Sequence, residues 1–393
     1  MIIYLLLLLI LLYGYIRFDV YHIDKNKKVF YWFESIAIIL VMGLRYEVGG
    51  DSFTYQSSFS SYPPLSQASS FDFEASRYGI LWNYFVILCR SLSTEYYVLF
   101  LAQATIVNIS FFHFFKKYSE RPFLAALLFY GSLGVFIYNT EIMRAAISVS
   151  LFLWAFDYLI KRKYVYYYLF VLLAIGFHTE SVVLIIYPLV VPLLKKIEYG
   201  IPSIIILLVT SFVVIASLDT LGILYKLFGS VEEVTSSFDT YMERQHTSVL
   251  HWKVIVLALI QLLPFVLLLL YRRKCKDYIN SFIVLYIFFR ILAIPYGTIA
   301  SRTNDFTYPF IIVALASAGG NYVKDVQFKV AFNYLRIFTV CYLFFLYSYL
   351  VPLVYPYSSI FTQEHYAYRE PLYESIMAGD INRDEVINLF ILK

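Results

Sequence analysis

Long apolar runs recur from one end of this 393-residue chain to the other, and no other feature constrains the fold as strongly. Hydrophobic residues make up 61% of the chain and charged residues only 15%, a balance that excludes a soluble globular protein. A transmembrane helix needs roughly 20 predominantly apolar residues, and many of the runs approach that length. The sequence therefore predicts an all-α polytopic membrane protein.

We predict about 12 transmembrane helices and one additional helix that is re-entrant or lies in the membrane interface. The apolar segments behind this prediction are 1–16, 30–44, 78–93, 96–115, 122–138, 142–160, 164–177, 180–194, 203–217, 252–271, 279–296, 304–319 and 334–355. Segment 1–16 has neither a basic region before it nor an evident cleavage site. We therefore expect it to remain as a first helix rather than to be removed as a signal peptide.

Basic loops orient these helices, because loops rich in lysine and arginine stay in the cytoplasm. From residue 116 onward the basic clusters alternate regularly with the apolar segments; the clusters are 116–121, 161–163, 195–196, 272–276 and 324–329. Between residues 44 and 116, three apolar segments separate two basic loops, so one segment must fail to cross. Segment 78–93 is short and flanked by Arg77 and Arg90, and we predict that it is the re-entrant or interfacial helix.

This topology places both termini outside and divides the chain into two parts. Residues 1–356 form the helical bundle, with outer loops at 45–77 and 218–251, and residues 357–393 form an extracytoplasmic tail. The tail carries more acidic than basic residues, as expected for an external segment.

The loop that follows segment 30–44 carries an unusual density of polar groups. It holds Arg45, Asp51 and Tyr55 around the glycine pair Gly49-Gly50, and glycine lets the backbone turn sharply and approach another surface closely. Arg45 and Asp51 can therefore point back at the protein from the outer face. The alternative is an ordinary interfacial loop, in which the arginine reaches the lipid headgroups and the aspartate caps a short helix.

The outer ends of the predicted spans carry arginines, whereas the cytoplasmic loops are dominated by lysine. The outward set is Arg45, Arg77, Arg144 and Arg302, with Arg290 inside segment 279–296. The planar guanidinium binds phosphate oxygens through two parallel hydrogen bonds, so these arginines suit a lipid-linked diphosphate. Arg144 has the alternative role of pairing with Glu141 at a helix start capped by Thr140. Arg290, buried in a span, has the alternative role of a structural ion pair.

Two further outward clusters carry titratable groups. His178 and Glu180 lie in a tight turn, where either could act as a general base; alternatively the histidine is held at the interface while Thr179 caps the next helix. Arg302 and Asp305 lie beside Pro295 and Gly297. Gln103, Asn108 and Gln261 fall within spans and are expected to form interhelical hydrogen bonds.

The sequence offers no cofactor motif. It contains neither a dinucleotide-binding GxGxxG nor a Walker loop, and its three cysteines have no metal-type spacing. No acidic cluster with metal-site spacing is present either. We therefore expect neither a metal nor a cofactor, and no nucleic-acid partner.

In four places the sequence resembles the EpsG-type family of bacterial polysaccharide polymerases, which is related in role to the O-antigen polymerases. These places are the exit loop from Leu44 to Tyr55, the turn Ile142-Met143-Arg144, the basic triplet at 161–163 and the pair Phe177-His178. Ala145 departs from the glutamine that is common after the arginine in the family. The resemblance covers the first half of the chain best and the second half through general layout and Arg302.

The resemblance implies an inverting glycosyltransferase at the outer face of the bacterial cytoplasmic membrane. Its partners would be the donor and acceptor, both oligosaccharides linked to undecaprenyl diphosphate, together with membrane lipids; a chain-length regulator and a flippase are candidate protein partners. Arg45, Arg144, Arg302 and Arg290 would hold the diphosphate, and His178, Asp51 or Glu180 would be the base. Tyr55 and Asp305 are expected to contact the substrate elsewhere. The product, whether O-antigen, capsule or exopolysaccharide, stays open.

Two other classes of protein fit parts of this pattern. A flippase or transporter of the same lipid-linked sugar would place charges near the membrane midplane and would show repeated halves; here most outward charges lie at span ends and no repeat is visible. A membrane acyltransferase could use His178, but it would not explain the set of outward arginines.

Overall fold

A computed structural model describes residues 2–197, 199–217, 252–272, 277–317 and 326–378. The predicted outer loop 218–251 lies outside the described residues, as does the end of the predicted tail. The described chain is almost entirely helical. Within the described residues, the β-type backbone pairing is an isolated antiparallel bridge between Arg45 and Ser359. The all-α prediction is therefore confirmed for this part of the chain.

The α-helices follow the predicted apolar segments closely, because long apolar runs in lipid satisfy their backbone polar groups only within a helix. They are α1 (Ile2–Gly14), α2 (Lys27–Gly43), α3 (Gly50–Phe59), α4 (Ile80–Leu92), α5 (Tyr97–Tyr118), α6 (Pro122–Gly131), α7 (Gly134–Phe136), α8 (Met143–Ile160), α9 (Tyr164–Phe177), α10 (Tyr187–Leu194), α11 (Ile201–Ser217), α12 (Trp252–Tyr271), α13 (Tyr278–Asn304), α14 (Tyr308–Ser317), α15 (Val326–Tyr347), α16 (Val351–Val354) and α17 (Arg369–Ala378).

Short helical pieces of other types extend several of these helices or connect them. The π-helical turns are Tyr15–Val20 and Ile137–Glu141, and the 3₁₀ helices are Leu65–Ser70, Thr179–Ile186 and Ser348–Leu350. The predicted span 180–194 is thus built from a 3₁₀ helix followed by α10.

Within the described residues, four helical stretches are long and apolar enough to cross a membrane: Ile2–Val20, Tyr97–Tyr118, Met143–Ile160 and Val330–Val354. A fifth is added if α6 and the stretch Gly134–Glu141 count as one span broken by a bend of 79°. Helix α4 has 13 residues, about 20 Å at 1.5 Å per residue. That is less than a hydrocarbon core of about 30 Å, but other apolar helices are similarly short, among them α9 with 14 residues. That segment 78–93 does not cross stays a prediction.

The broken helix positions the polar turn that precedes α8. Leu133, between α6 and α7, has a left-handed φ of 61°, which interrupts the helical hydrogen bonding and redirects the chain. The residues after the bend form the π-helical turn Ile137–Glu141. This turn brings Asn139, Thr140 and Glu141 against the exit loop of α2.

The described residues fall into two compact units. The first takes in the described parts of 1–157, 166–179 and 337–393, and its most extensive helix pair is α2 with α5. Gly43 makes that pairing close, since a Cβ at this position would lie 2.8 Å from the Leu101 Cα. The second unit takes in the described parts of 158–165 and 180–336, where α13 packs against α10, α11, α12 and α14.

Candidate functional site

Arg45 is completely buried and connects the exit loop to the broken helix through hydrogen bonds. Its exposure is 0%. Nη2 donates to the carbonyl of Asn139 at 2.7 Å, Nε donates to the Ser52 hydroxyl at 3.0 Å, and Nη1 donates to the carbonyl of Met42. The guanidinium carbon lies 4.1 Å from the centre of the Phe100 ring. These contacts use the donors of the guanidinium inside the protein.

The two glycines of the exit loop allow it to touch the broken helix. Gly49 has φ of 86°, and a Cβ there would lie 2.2 Å from the Thr140 Cβ. The amide of Gly50 donates to the Glu141 carboxylate at 2.8 Å. A side chain at position 49 would therefore be both strained and excluded by its neighbour.

Asp51 caps the helix that carries Arg144. Its Oδ2 accepts a hydrogen bond of 3.0 Å from the backbone amide of Met143, the first residue of α8, and an anion at this end is favoured by the helix dipole. The alternative drawn from the sequence gave that role to Thr140 and paired Glu141 with Arg144. Instead, the Thr140 hydroxyl donates to the Phe136 carbonyl at 2.9 Å, and Glu141 bonds the exit loop.

Arg144 is held along one edge and on one face. Its Nε donates to the Tyr55 hydroxyl at 2.8 Å, and its guanidinium carbon lies 4.7 Å from the centre of the Tyr78 ring. Among the residues that the structure describes, its two terminal nitrogens have no hydrogen-bond partner. The side chain is partly exposed, so this edge of the guanidinium can meet a ligand.

Arg77 brings a second guanidinium to the same aromatic ring. Its Nη2 donates to the Tyr78 hydroxyl at 2.8 Å, and its guanidinium carbon lies 5.0 Å from the centre of that ring. The hydrogen bond to Tyr78 raises the pKa of Arg77, and the positive charge of Arg144 opposes this rise. Arg77 is exposed. Together the two side chains form a concentrated positive charge around Tyr78.

Tyr55 joins this cluster to the core of the first unit. Its ring centre lies 4.8 Å from that of Trp82 and 5.9 Å from that of Tyr78. Burial raises the pKa of the Tyr55 hydroxyl, so this hydroxyl stays protonated at neutral pH. Because it accepts a hydrogen bond from Arg144, its own proton remains available for another acceptor.

His178 directly follows α9 and lies at about the level of Arg144 along the helix pair. Helices α8 and α9 follow each other after a short turn, and the Ser148 hydroxyl donates to the Ala174 carbonyl at 2.8 Å. In an antiparallel pair, four residues beyond Ala174 correspond to four residues before Ser148, which is Arg144. His178 is 8% exposed.

A second contact ties the end of α9 to the aromatic cluster. A Cβ at Gly79 would lie 2.5 Å from the Gly176 carbonyl oxygen, so these two backbones meet directly. Gly79 follows Tyr78 in the chain, and Gly176 precedes the pair Phe177-His178. The first unit therefore brings together the predicted residues Arg45, Asp51, Tyr55 and Arg144 and places His178 directly after the neighbouring helix α9.

The remaining predicted residues lie in the second unit. Arg290 Nη2 donates to Gln261 Oε1 at 3.4 Å, which confirms the expected interhelical hydrogen bond of Gln261. Arg302 belongs to the last turn of α13, and Asp305 follows it. The partly buried Asp305 carboxylate lies within electrostatic range of both Arg302 and Glu180. Glu180, Arg302 and Asp305 thus form a charged group of their own.

Comparison with protein families identifies the family to which this chain belongs. The model of the EpsG family matches residues 28–359, which is well over half of the chain. The chain belongs to the EpsG family. Neither the curated proteins nor the solved structures contain a significant match. The resemblance found in the sequence motifs is thereby confirmed, and the match extends it across the second half of the chain.

Membership of the EpsG family, together with the apolar helices, identifies a multi-pass membrane protein of polysaccharide biosynthesis. The matched region contains every predicted site residue and also Arg77, Tyr78 and Glu141. The residues of this EpsG-family protein after position 359, including α17, lie beyond the match.

Sequence reasoning recognised Arg77 as an outward arginine but did not assign it to the site, and it missed Tyr78. The signal available was the run Arg77-Tyr78-Gly79, a cation and an aromatic ring before a glycine at a helix start. This run alone does not show which other cation shares the ring. That pairing depends on the position of α8 relative to α4.

Proposed function

We propose that this EpsG-family protein is a polysaccharide polymerase. It would be an inverting glycosyltransferase that joins oligosaccharide repeat units carried on undecaprenyl diphosphate at the outer face of the cytoplasmic membrane. The observation that carries the proposal is the pair of guanidinium groups on Tyr78. Arg144 is fixed there with its terminal nitrogens open, and Arg77 supplies a second positive charge.

Two arginines on one ring suit the leaving group of this reaction. As the glycosidic bond to phosphate breaks, negative charge develops on the diphosphate, and preoriented donors stabilise it. Arginine remains charged when partly desolvated, and its fork matches two phosphate oxygens. In this proposal Arg144 and Arg77 contact the diphosphate, whereas the buried Arg45 positions the exit loop. Arg302 and Arg290 remain candidates for the same ligand.

The acceptor hydroxyl needs a general base. In the reaction, the hydroxyl oxygen of the acceptor sugar bonds to the anomeric carbon of the donor, the bond from that carbon to the phosphate oxygen breaks, and the base takes the hydroxyl proton. We assign the base to His178, because it lies at the level of Arg144. Asp51 is the weaker candidate, since its Oδ2 is used by the amide of Met143. Glu180 remains a second candidate.

The proposed topology keeps the predicted twelve crossings, with α4 outside the count, and an active site that opens outward. It rests on the alternation of basic loops from residue 116 onward. Donor and acceptor would both enter from the outer leaflet, with their undecaprenyl chains in the lipid.

The deciding experiment compares lipid-linked glycan lengths in cells that carry the gene with those in cells that lack it. Loss of long chains while single repeat units persist on the outer leaflet is the expected result. Accumulation of single units on the inner leaflet would instead indicate a flippase and contradict the proposal.

The same assay tests the arginine site directly. Arg144→Lys keeps the charge but loses the two-pronged geometry, so polymerisation should fall about ten- to a hundredfold at equal protein level. Arg17→Lys is the matched control, because Arg17 also bonds a tyrosine hydroxyl, that of Tyr13 at 3.0 Å, and lies near its ring. The control should polymerise normally. Normal polymerisation by Arg144→Lys as well would contradict the diphosphate role of Arg144.

A further inference from the structure

The chain returns to the exit loop after its last apolar helix. We call residues 355–378 the C-terminal strap. Backbone hydrogen bonds pair the strap with the exit loop: the Tyr46 amide donates to the Ser358 carbonyl at 3.0 Å, and the Ile360 amide donates to the Leu44 carbonyl at 3.0 Å. These bonds flank the antiparallel bridge between Arg45 and Ser359.

Arg369 is the main side-chain connection between the strap and the exit loop. It is buried with 0% exposure. Its Nη1 donates to the Glu47 carbonyl at 2.9 Å, and its Nη2 donates to the Pro356 carbonyl. Its guanidinium carbon lies 4.4 Å from the centre of the Tyr366 ring. One side chain thus joins the exit loop, the start of the strap and the turn before α17.

The residue that Arg369 holds has an unfavourable backbone conformation. Glu47 has φ of 50°, a region that a residue with a Cβ adopts at a steric cost. The strap contacts this residue twice, because the Glu47 carboxylate also lies 2.6 Å from Nδ1 of His365. Such a conformation persists only where the surrounding structure holds it.

The strained residue immediately precedes the part of the loop that orders the site. Gly50 packs under the strap, since a Cβ there would lie 2.3 Å from Tyr373 of α17. The next residue, Asp51, caps α8, and the second residue of α8 is Arg144. A displaced exit loop would therefore release the cap from the helix that orients Arg144.

We infer that Arg369 is a positioning residue for the arginine site, acting through the backbone of Glu47. The effect on catalysis rests on the proposed function; the effect on the exit loop does not. Without Arg369 the loop leaves the conformation in which Asp51 bonds the Met143 amide. Arg369 itself is fully buried against the protein and does not contact the substrate.

Hydrogen exchange tests the positioning independently of activity. In the purified full-length protein, Arg369→Ala should raise amide exchange about tenfold or more at Tyr46, Gly49, Gly50 and Met143. Glu374→Ala is the matched control, because Glu374 is exposed on the same helix, and it should leave those amides unchanged. Faster exchange confined to the strap would contradict the inference. If Arg369→Ala speeds exchange of the Met143 amide but the unsubstituted protein itself does not polymerise, the inference stands and the proposed function is overturned.

A reversible cross-link separates positioning from general destabilisation. Tyr46 and Ser358 face each other across the antiparallel pair, where Cα atoms are about 5.5 Å apart, a distance that a disulfide can bridge. Tyr46→Cys and Ser358→Cys are introduced into a variant lacking the three natural cysteines. Arg369→Ala in this background should lose about ten- to a hundredfold in polymerisation rate when reduced.

Oxidation should restore most of that rate, because the disulfide replaces the connection that Arg369 made. Arg369→Lys, which keeps the charge but has a single donor nitrogen in place of the planar fork, should fall between Arg369→Ala and the unsubstituted protein. If the disulfide forms in full and the rate does not recover, positioning of the exit loop is not what Arg369 contributes. Wild-type rates for reduced Arg369→Ala would overturn the inference directly.

Discussion

The hydroxyl of Tyr55 accepts a hydrogen bond of 2.8 Å from Nε of Arg144. Tyr55 comes from α3 and Arg144 from the start of α8, so this bond links the outer loop to α8. Among the described residues, the two terminal nitrogens of Arg144 make no hydrogen bond. The arrangement orients a cation without neutralising it.

Tyr55→Phe should therefore lower the polymerisation rate while leaving the fold intact. The ring still packs on Trp82, but the donor edge of Arg144 loses its fixed direction, and we expect a loss of about ten- to a hundredfold. Tyr13→Phe removes a comparable hydroxyl bonded to Arg17 and should be silent. The rate is measured as chain-length distribution at equal membrane level of each protein.

Arg77 and Arg144 should behave as a coupled pair. Both contact Tyr78, so each arginine should contribute less to the polymerisation rate when the other is absent. A double-mutant cycle should therefore show a coupling energy of about 0.5–3 kcal/mol. The variants are Arg77→Ala, Arg144→Ala and the double substitution, compared by polymerisation rate. Strictly additive losses would mean that the two arginines act at separate places.

Gly50→Ala should disrupt the exit loop, because the added methyl group meets Tyr373 at 2.3 Å. Activity should fall at least tenfold, and Tyr373→Ala should recover part of it by removing the obstructing ring. Gly49→Ala should not be recovered by the same change, since Gly49 has φ of 86° and faces Thr140 instead. Recovery of both glycine variants by Tyr373→Ala would show that the contact with Tyr373 is not specific.

His178→Ala should reduce turnover while leaving donor binding largely intact. Loss of a general base costs about a hundred- to ten-thousandfold, whereas the arginines that hold the diphosphate remain. Turnover is compared with retention of a lipid-linked donor by the purified variant. Normal turnover would transfer the base role to Glu180 or Asp51.

The orientation of the bundle is tested by cysteine labelling in a background without natural cysteines. Ser57→Cys lies on exposed surface of α3 and should react with an impermeant reagent from outside, whereas Lys161→Cys, exposed in a predicted cytoplasmic loop, should not. Ser52, also in the exit region, is unsuitable because it is buried against Arg45. Labelling of Lys161→Cys in sealed cells would reverse the proposed topology.

Sequence alone determined the helical character of this protein and much of its segmentation. The predicted segment 164–177 coincides with α9 (Tyr164–Phe177), because a basic triplet and a polar turn bound an apolar run. The interhelical bonds of Gln103 and Asn108 were also predictable, since amides in a span need partners. Gln103 bonds the Tyr138 carbonyl at 2.9 Å, and Asn108 bonds Asn139 at 3.0 Å.

Tertiary structure alone decided what each arginine does. Arg45 and Arg144 look equivalent in the sequence, yet the donors of Arg45 bond carbonyls and a hydroxyl inside the protein, whereas Arg144 keeps an open edge. Arg77 joins Arg144 only because the segment before α4 places Tyr78 against the side chain of Arg144, and Arg369 reaches Glu47 from the far end of the chain. A local sequence pattern predicts that a charged side chain needs a partner. Which residue is the partner depends on how helices distant in the sequence pack together.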